Sequence, residues 1–360
     1  MISEPHSVEQ PTLSLLTPVY NAEAYLPALI DAVEVLCALH PGRVEWVVVN
    51  DGSTDASLEL LQAAATRIGT LRLIDRPNAG VAAARNAALE TARGEFVWYV
   101  DADDLIDPEA AAALLTSFDK SQHADAHASQ LDLVCFAATR EVAGEPTQTL
   151  GLPAELVRVS AAIPVEGEVF TEGLVGHKCW RHFLWTYWYR REYIHSLGLR
   201  FHPGLIHEDI AFITEAAVRA KRATAVDANL YRYRVNATSL TQALSSRQLM
   251  PRIESYFTVI AQLREINTKY VSAPKLRRLL SGEVIGQALQ VFELCKQLPE
   301  ANAQAQLLDA CRARRFVQSL WPETVSSLSW KRLRQFAKMW LMQNGWLEIA
   351  PPTSAAQERA

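Results

Sequence analysis

Cysteine is sparse and unpatterned in this chain: five in 360 residues, at positions 37, 135, 179, 295 and 311. No CxxC occurs, so neither a zinc site nor a dithiol redox pair is indicated, and an odd number of scattered thiols fits a reducing cytoplasm. A basic excess is also missing. Thirty-five Lys and Arg against 40 Asp and Glu leave a net charge of −5, which argues against nucleic acid as a partner. No apolar run approaches the roughly 18–20 residues needed to cross a bilayer. The opening stretch, MISEPHSVEQP, has neither the basic start nor the apolar core of a signal peptide. The usual phosphate cradles are absent: no GxGxxG follows the first apolar strand, and GxxxxGK(S/T) occurs nowhere. A dinucleotide dehydrogenase and a P-loop enzyme are therefore disfavoured. No Ser–His–Asp or Cys–His set at recognisable spacing offers a protein nucleophile. What remains is a soluble globular composition, 49% hydrophobic and 21% charged, long enough for one large domain or two ordinary ones.

The first 120 residues alternate between two textures. LSLLTPVY, VEWVVVND, LRLIDR and EFVWYVDA read as buried strands. AEAYLPALIDAVEVL, ASLELLQAAATRI, GVAAARNAALETA and a stretch from Pro108 to about Phe118 read as helices. Such alternation predicts a mostly parallel α/β sheet flanked by helices, with ligands beyond the carboxyl ends of the strands. TPVYN, NDGSTD, RPNAG and DADD all fall at those ends. Ser53, Thr54, Asp55 and Asp107 have turn or helix-cap roles as one explanation and ligand contacts as the other. Neither capping nor turn-making explains Asp101 and Asp103 together. Alternate carboxylates at a strand end repel unless a divalent cation is shared between them. A metal-held diphosphate is then the simple alternative to a glycine cradle.

TPVYN, VNDGSTD, RPNAGVAAARN and DADD, in this order over residues 17–104, together resemble the nucleotide-binding half of family 2 glycosyltransferases of GT-A fold. WTYWYRREYIHSLGLRFHPGLIHEDIAF and YRYRVNATSLT are similar to the acceptor half of bacterial polysaccharide-type members. The resemblance covers about residues 12–241. It implies that Thr17, Pro18, Tyr20 and Asn21 border the base and ribose, and that Asp51 accepts a hydrogen bond from the base. It implies that Asn78, Gly80, Arg85 and Ala102 lie along the nucleotide. Asp101 is expected near the ribose or metal, and Asp103 as a ligand of Mn2+ or Mg2+. Glu208 and Asp209 form the family's acidic pair, with Asp209 the expected base. Arg232, Arg234, Trp185 and Lys178 are candidates for the diphosphate or the acceptor. The implied reaction is inverting transfer from a nucleotide sugar, in the first place a UDP-sugar, to a hydroxyl of a glycan or lipid-linked glycan. A carboxylate base suits the proton that the acceptor hydroxyl must lose.

Several positions depart from the pattern. Asn50 stands where relatives often have Asp. Thr186 stands where WNKLYRR has Asn, and Trp188 is either a core side chain or a sugar-stacking one. The QxxRW motif of processive members is absent, which favours transfer of one sugar per encounter. Residues 140–170 read as a hairpin or flap. GHKCWRHFLW (Gly176 to Trp185) reads as a helix, either acceptor-binding or merely solvated, and the five-residue spacing of His177 and His182 disfavours a shared metal. From about Ser245 the texture is helical. In the last helix Trp330, Leu333, Phe336, Ala337, Trp340 and Leu341 share one side, and Lys331, Arg332, Arg334, Gln335 and Lys338 the other. That pattern fits peripheral membrane contact through residues 328–346, or packing on the helix's own domain or on a second subunit of a homo-oligomer.

The resulting expectation is a flexible N-terminus (1–11), a GT-A domain (12–242, its halves meeting near 120), a helical region (243–350) and a disordered tail (351–360). The enzyme is expected in the cytoplasm. Two rivals are a sugar-phosphate nucleotidyltransferase, whose Gly-rich basic first loop is not seen here, and a non-catalytic sugar-nucleotide-binding component of a glycan assembly complex.

Overall fold

The structure is a computed structural model that describes residues 10–124, 131–235, 246–298, 300–327 and 329–345. The expected disordered tail, most of the expected flexible N-terminus, and the end of YRYRVNATSLT beyond Val235 lie outside the described residues. The chain divides into two compact units. The first holds residues up to Gly204 together with Arg219–Val235, and the second holds Leu205–Val218 and the chain from Asn236 on.

In the first unit, strands β1 (Leu13–Val19), β2 (Val44–Asp51), β3 (Leu71–Arg76) and β4 (Phe96–Tyr99) lie parallel in the order β3-β2-β1-β4. Helices α1 (Leu26–Leu39), α2 (Ser57–Arg67) and α3 (Val81–Thr91) connect them. Every residue of β2 is buried, as expected of a strand covered on both faces. Val19 pairs with Asn50, and Asn50 with Asp75, so three polar strand exits end at one level. The sheet continues through β8 (Tyr187–Arg190), β6 (Leu133–Val142), β9 (Ala223–Val235) and β5 (Leu105–Ile106). β8 runs antiparallel to both β4 and β6, and β9 parallel to β6. Helix α4 (Pro108–Ala124) follows β5 and runs six residues past the predicted end at Phe118.

Four local expectations need correcting or sharpening. Helix α1 starts at Leu26, not Ala22, because residues 22–25 form a turn whose backbone is held by side chains of the next loop. The hairpin is present as β6 and β7 (Gln148–Leu150), but α5 (Ala154–Ala162) occupies part of the predicted flap. GHKCWRHFLW is not a helix. α6 (Gly167–Gly176) ends as it begins, with Lys178 left-handed at φ 59° and only Leu184–Thr186 forming a 3-10 turn. A left-handed residue just past the last turn terminates a helix. Trp188 is a core side chain, 1% exposed, among Trp98, Phe118 and Phe136.

Helices α7 (Arg191–Leu197) and α8 (Glu208–Arg219) precede β9. α8 lies almost wholly in the second unit, whose other described helices are α9 (Ser246–Lys269), α10 (Pro274–Cys295), α11 (Ala301–Ala313), α12 (Phe316–Ser319), α13 (Trp321–Ser326) and α14 (Trp330–Gln343). Between α11 and α12 the chain breaks at Arg315, which is left-handed at φ 46°. Ile210, Ile253, Val284, Phe292 and Met339 share this unit's core. No described helix is long and apolar enough to cross a membrane.

Candidate active site

The loops after β1 and β2 are tied to each other. Asn21, left-handed at φ 49°, donates its N–H to Ser53 Oγ (3.0 Å), and its Oδ1 accepts from the Thr54 N–H (2.8 Å). The Ala22 N–H donates to Ser57 Oγ (2.8 Å) and the Glu23 N–H to Asp55 Oδ2 (3.0 Å). Glu23 Oε2 accepts in return from the Ala56 N–H (2.8 Å). Asn21, Ser53, Thr54 and Asp55 therefore set loop shape. The Thr17 side chain is buried and accepts from Trp46 Nε1 (2.9 Å). Pro18 is half-buried, and Tyr20 stands out at the rim, 54% exposed.

Asp51 reaches the third loop. Its buried carboxylate accepts from the Gly80 N–H (2.7 Å) and the Ala79 N–H (3.1 Å), and lies 3.5 Å from Arg76 Nε. Gly52 has φ +73°, and a Cβ there would lie 2.7 Å from the Asn78 nitrogen. This turn thus requires glycine on both counts. Asn78 and Gly80 are exposed on the same rim. Asn50 donates from Nδ2 to Asp75 Oδ1 (2.7 Å), so the departure at position 50 has a partner that an aspartate would repel.

The four carboxylates after β4 divide their work. Asp101 pairs with Arg85 Nη2 (2.8 Å), whose guanidinium lies 5.8 Å from the Phe201 ring. Phe201 is fixed by a reciprocal pair of bonds with the Asn86 amide, 2.8 and 2.9 Å. Ala102 is buried and Asp103 half-buried. Asp104 is 1% exposed and accepts from Tyr231 OH (2.7 Å) and the Arg234 N–H (2.8 Å). Burial, followed by the charges of Asp101 and Asp103, holds its carboxyl well above the usual range. The Tyr231 hydroxyl also accepts from the Asp101 N–H (3.1 Å). Asp107 caps α4, accepting from the Ala110 N–H (2.8 Å).

The remaining candidates belong to several elements of the two units. Arg234 donates from Nε to the Asp103 carbonyl (2.9 Å), with its guanidinium 5.5 Å from the Tyr25 ring. Arg232 pairs with Glu141 (2.8 Å). Trp185 is buried, stacked on Tyr231 at 4.4 Å and on Phe183 at 4.6 Å, and Lys178 is exposed. Glu208 (buried) and Asp209 (half-buried) occupy the first turn of α8 in the second unit. The preceding residue, His207, lies against Tyr256 (4.3 Å) and accepts at Nε2 from Arg252 Nε (3.3 Å). Burial and then the Arg252 charge push its pKa down to about 4, so the ring is neutral at neutral pH.

Comparison with known proteins bears on this geometry. The Glycosyl transferase family 2 model matches residues 14–131. EpsH of Bacillus subtilis (strain 168), described as a glycosyltransferase, is 30% identical over 267 residues, which cover 72% of this chain and 71% of EpsH. The chain belongs to glycosyltransferase family 2.

The fold of this family 2 glycosyltransferase is similar to that of S. aureus TarS 1-349 in complex with UDP-GlcNAc. The TM-score is 0.63 at 20% identity, over 88% of this chain and 83% of that one. It also resembles the mannosyltransferase PcManGT from Pyrobaculum calidifontis in complex with GDP-Man and Mn2+. That TM-score is 0.50 at 17% identity, over 94% and 91% of the two chains. At such identities the likeness concerns the fold, the GT-A arrangement implied by the motifs.

Among the described residues, no three His, Cys, Asp or Glu side chains gather as a metal cage. The donor set fits a shared ion instead, since Mg2+-type ions are commonly held by one or two carboxylates together with substrate phosphates. Asp103 with Asp101 offers such a pair. Sequence reasoning missed the roles of Asn86, Tyr231, His207 and Arg252. Asn86 and Tyr231 sit inside the quoted motifs, but nothing in their spacing announces partners 115 and 130 residues away.

Proposed function

We propose that this enzyme transfers one sugar per encounter, with inversion, from a UDP-sugar to a hydroxyl of a growing bacterial surface glycan or its lipid-linked precursor. The observation that carries the reading is the rim itself. Asp51, Asp101 and Asp103 stand at the carboxyl ends of β2 and β4, the parallel strands on either side of β1, on loops already held by hydrogen bonds. UDP-GlcNAc in TarS and GDP-Man with Mn2+ in PcManGT support a nucleotide-sugar donor and a divalent ion. Tyr20, Asn21, Asp51 and Asn78 border the nucleoside, and Gly80, Arg85 and Ala102 lie along it. Asp103, with Asp101, would hold Mn2+ or Mg2+, which when bound supplies Lewis-acid stabilisation of the leaving diphosphate.

Asp209 takes the proton of the acceptor hydroxyl, with Glu208 beside it. The N-terminal end of α8 favours the ionised carboxylate that a base requires. Arg232 and Arg234, at the end of β9, are the cations for diphosphate or acceptor. The enzyme works in the cytoplasm, where the single unpaired thiols remain reduced.

Calorimetry of UDP binding with Mn2+ and with EDTA tests the donor site. Wild type should bind more tightly with Mn2+, and Asp103→Ala should remove that difference. Equal wild-type affinity in the two conditions rules the metal reading out. A panel of nucleotide sugars followed by thermal shift, with and without Mn2+, identifies the donor.

A further inference from the structure

The last helix has two apolar faces, and only one is used. Met339 and Met342 are buried in the core of the second unit. Arg332 turns onto the same side: a Cβ added at Gly282 would lie 3.4 Å from its Nε, and one at Gly286 3.5 Å from its Nη1. Arg332 thus lies opposite Trp330 and Trp340, the side on which the sequence pattern sets it, and that side packs on α10. The opposite face looks outward. Trp330 is 78% exposed, and Trp340 and Trp321 are also exposed. Leu333, Phe336, Trp340 and Leu341 join Trp321 of α13 in an open groove of about 640 Å³. Along one edge of this face stand Lys331, Arg334 and Lys338, all exposed. The Lys338 ammonium has an acidic neighbour, Glu293, at 3.8 Å. Helix α14 itself contains four basic residues and no acidic one, within a chain whose net charge is −5.

We infer that this face is a docking surface for an anionic lipid bilayer. Three indoles with a basic row beside them match the two layers of a membrane interface: ring bodies at the headgroup boundary and cations against the anionic headgroups. The row's sign also decides against a second copy of the chain. In an isologous antiparallel helix pair, each edge meets the same edge of its partner, so Lys331, Arg334 and Lys338 would face their own equivalents. Against anionic lipid each of them attracts, and salt weakens the attraction. The surface lies wholly in the second unit and stands independently of the donor and acceptor proposed above.

The test is co-sedimentation of the full-length protein with vesicles, without donor or acceptor. One set is phosphatidylcholine alone, and the other is equal parts phosphatidylcholine and phosphatidylglycerol. The protein should pellet with the anionic vesicles and be released by high salt. Lys331→Gln with Arg334→Gln should weaken partitioning about tenfold or more. Trp330→Ala should weaken it comparably while leaving the melting temperature nearly unchanged, because that side chain is largely exposed. Equal pelleting with neutral and anionic vesicles overturns the proposal. So does concentration-dependent self-association that the tryptophan variant abolishes without any vesicle binding in the wild type. Neither result bears on donor binding, so failure here is distinguishable from failure of the transferase reading.

Discussion

Tyr231→Phe removes one oxygen and tests how the carboxylate turn is held. The ring stays in its stack on Trp185, 4.4 Å away, so the core loses no apolar contact. Two hydrogen bonds are lost: the donation to Asp104 Oδ2 (2.7 Å) and the acceptance from the Asp101 N–H (3.1 Å). A hydrogen bond to a charged group is worth about 1.5–3 kcal/mol, and a buried group left unpaired costs about 1–3 kcal/mol. Because the two bonds share one oxygen, the penalties overlap, and the sum is about 2–4 kcal/mol. For a unit of this size each kcal/mol moves the melting temperature by about 2–4 °C, so the first unit should melt roughly 4–16 °C lower. UDP affinity with Mn2+ should fall as well, because the Asp101 backbone is no longer pinned. Differential scanning calorimetry in EDTA reads the first effect and titration calorimetry the second. A variant that melts within about 1 °C of wild type and binds UDP equally well would show that the hydroxyl organises nothing, since an uncompensated loss of this kind costs at least about 1 kcal/mol.

Asp209→Asn keeps size and capping ability but removes basicity. It should lower kcat by about 10² or more, with melting temperature and UDP affinity unchanged, and a wild-type kcat with a competent acceptor would exclude Asp209 as the base. Asn50→Asp places a carboxylate against Asp75 and should cost about 1 kcal/mol. Asp75→Asn in the same chain should restore the loss, as a double-mutant melting series would show. The depressed pKa of His207, about 4, means that the unfolded chain binds the extra proton between about 4 and 6.5. That contribution to stability is fully present above about pH 6.5 and fades as pH falls toward 4. His207→Gln should therefore flatten the melting temperature over that window, as read by melts at stepped pH. Gly52→Ala combines a positive φ with a 2.7 Å clash and should cost more than about 1 kcal/mol, with UDP affinity reduced in parallel.

The sheet half of the fold was legible because buried parallel strands read as unbroken apolar runs, and all four N-terminal ones fall where they do. The exits could be placed on one rim because register follows from strand pairing. The side-chain geometry on that rim was not legible. Asp107 and Asp103 look alike in the sequence, yet one caps a helix and the other sits on the turn between Asp101 and Asp104. The decisive partner of Asp104 comes from β9, 127 residues later. The GHKCWRHFLW segment has helix-compatible residues, but Lys178 takes a left-handed conformation that its side chain does not announce. Helical periodicity sets Arg332 opposite Trp330 and Trp340, but it does not show that Gly282 and Gly286 open a slot for it on α10.

The opening into solvent is narrower in chemical choice than four acidic residues suggest. Asp51 and Asp104 are both buried, and both accept backbone N–H bonds from segments far away in sequence, the loop before α3 and strand β9. Replacing either moves backbone at a distance, so neither is a free variable for donor choice. Asn21 is likewise bound to Ser53 and Thr54, and Asp55 to Glu23, across two strand exits. Loops fixed before the ligand arrives lose little conformational freedom on binding. Changes in donor preference at this rim are therefore expected at side chains exposed on it, such as Tyr20 and Asn78, where a substitution alters what the ligand meets without altering the loop that presents it.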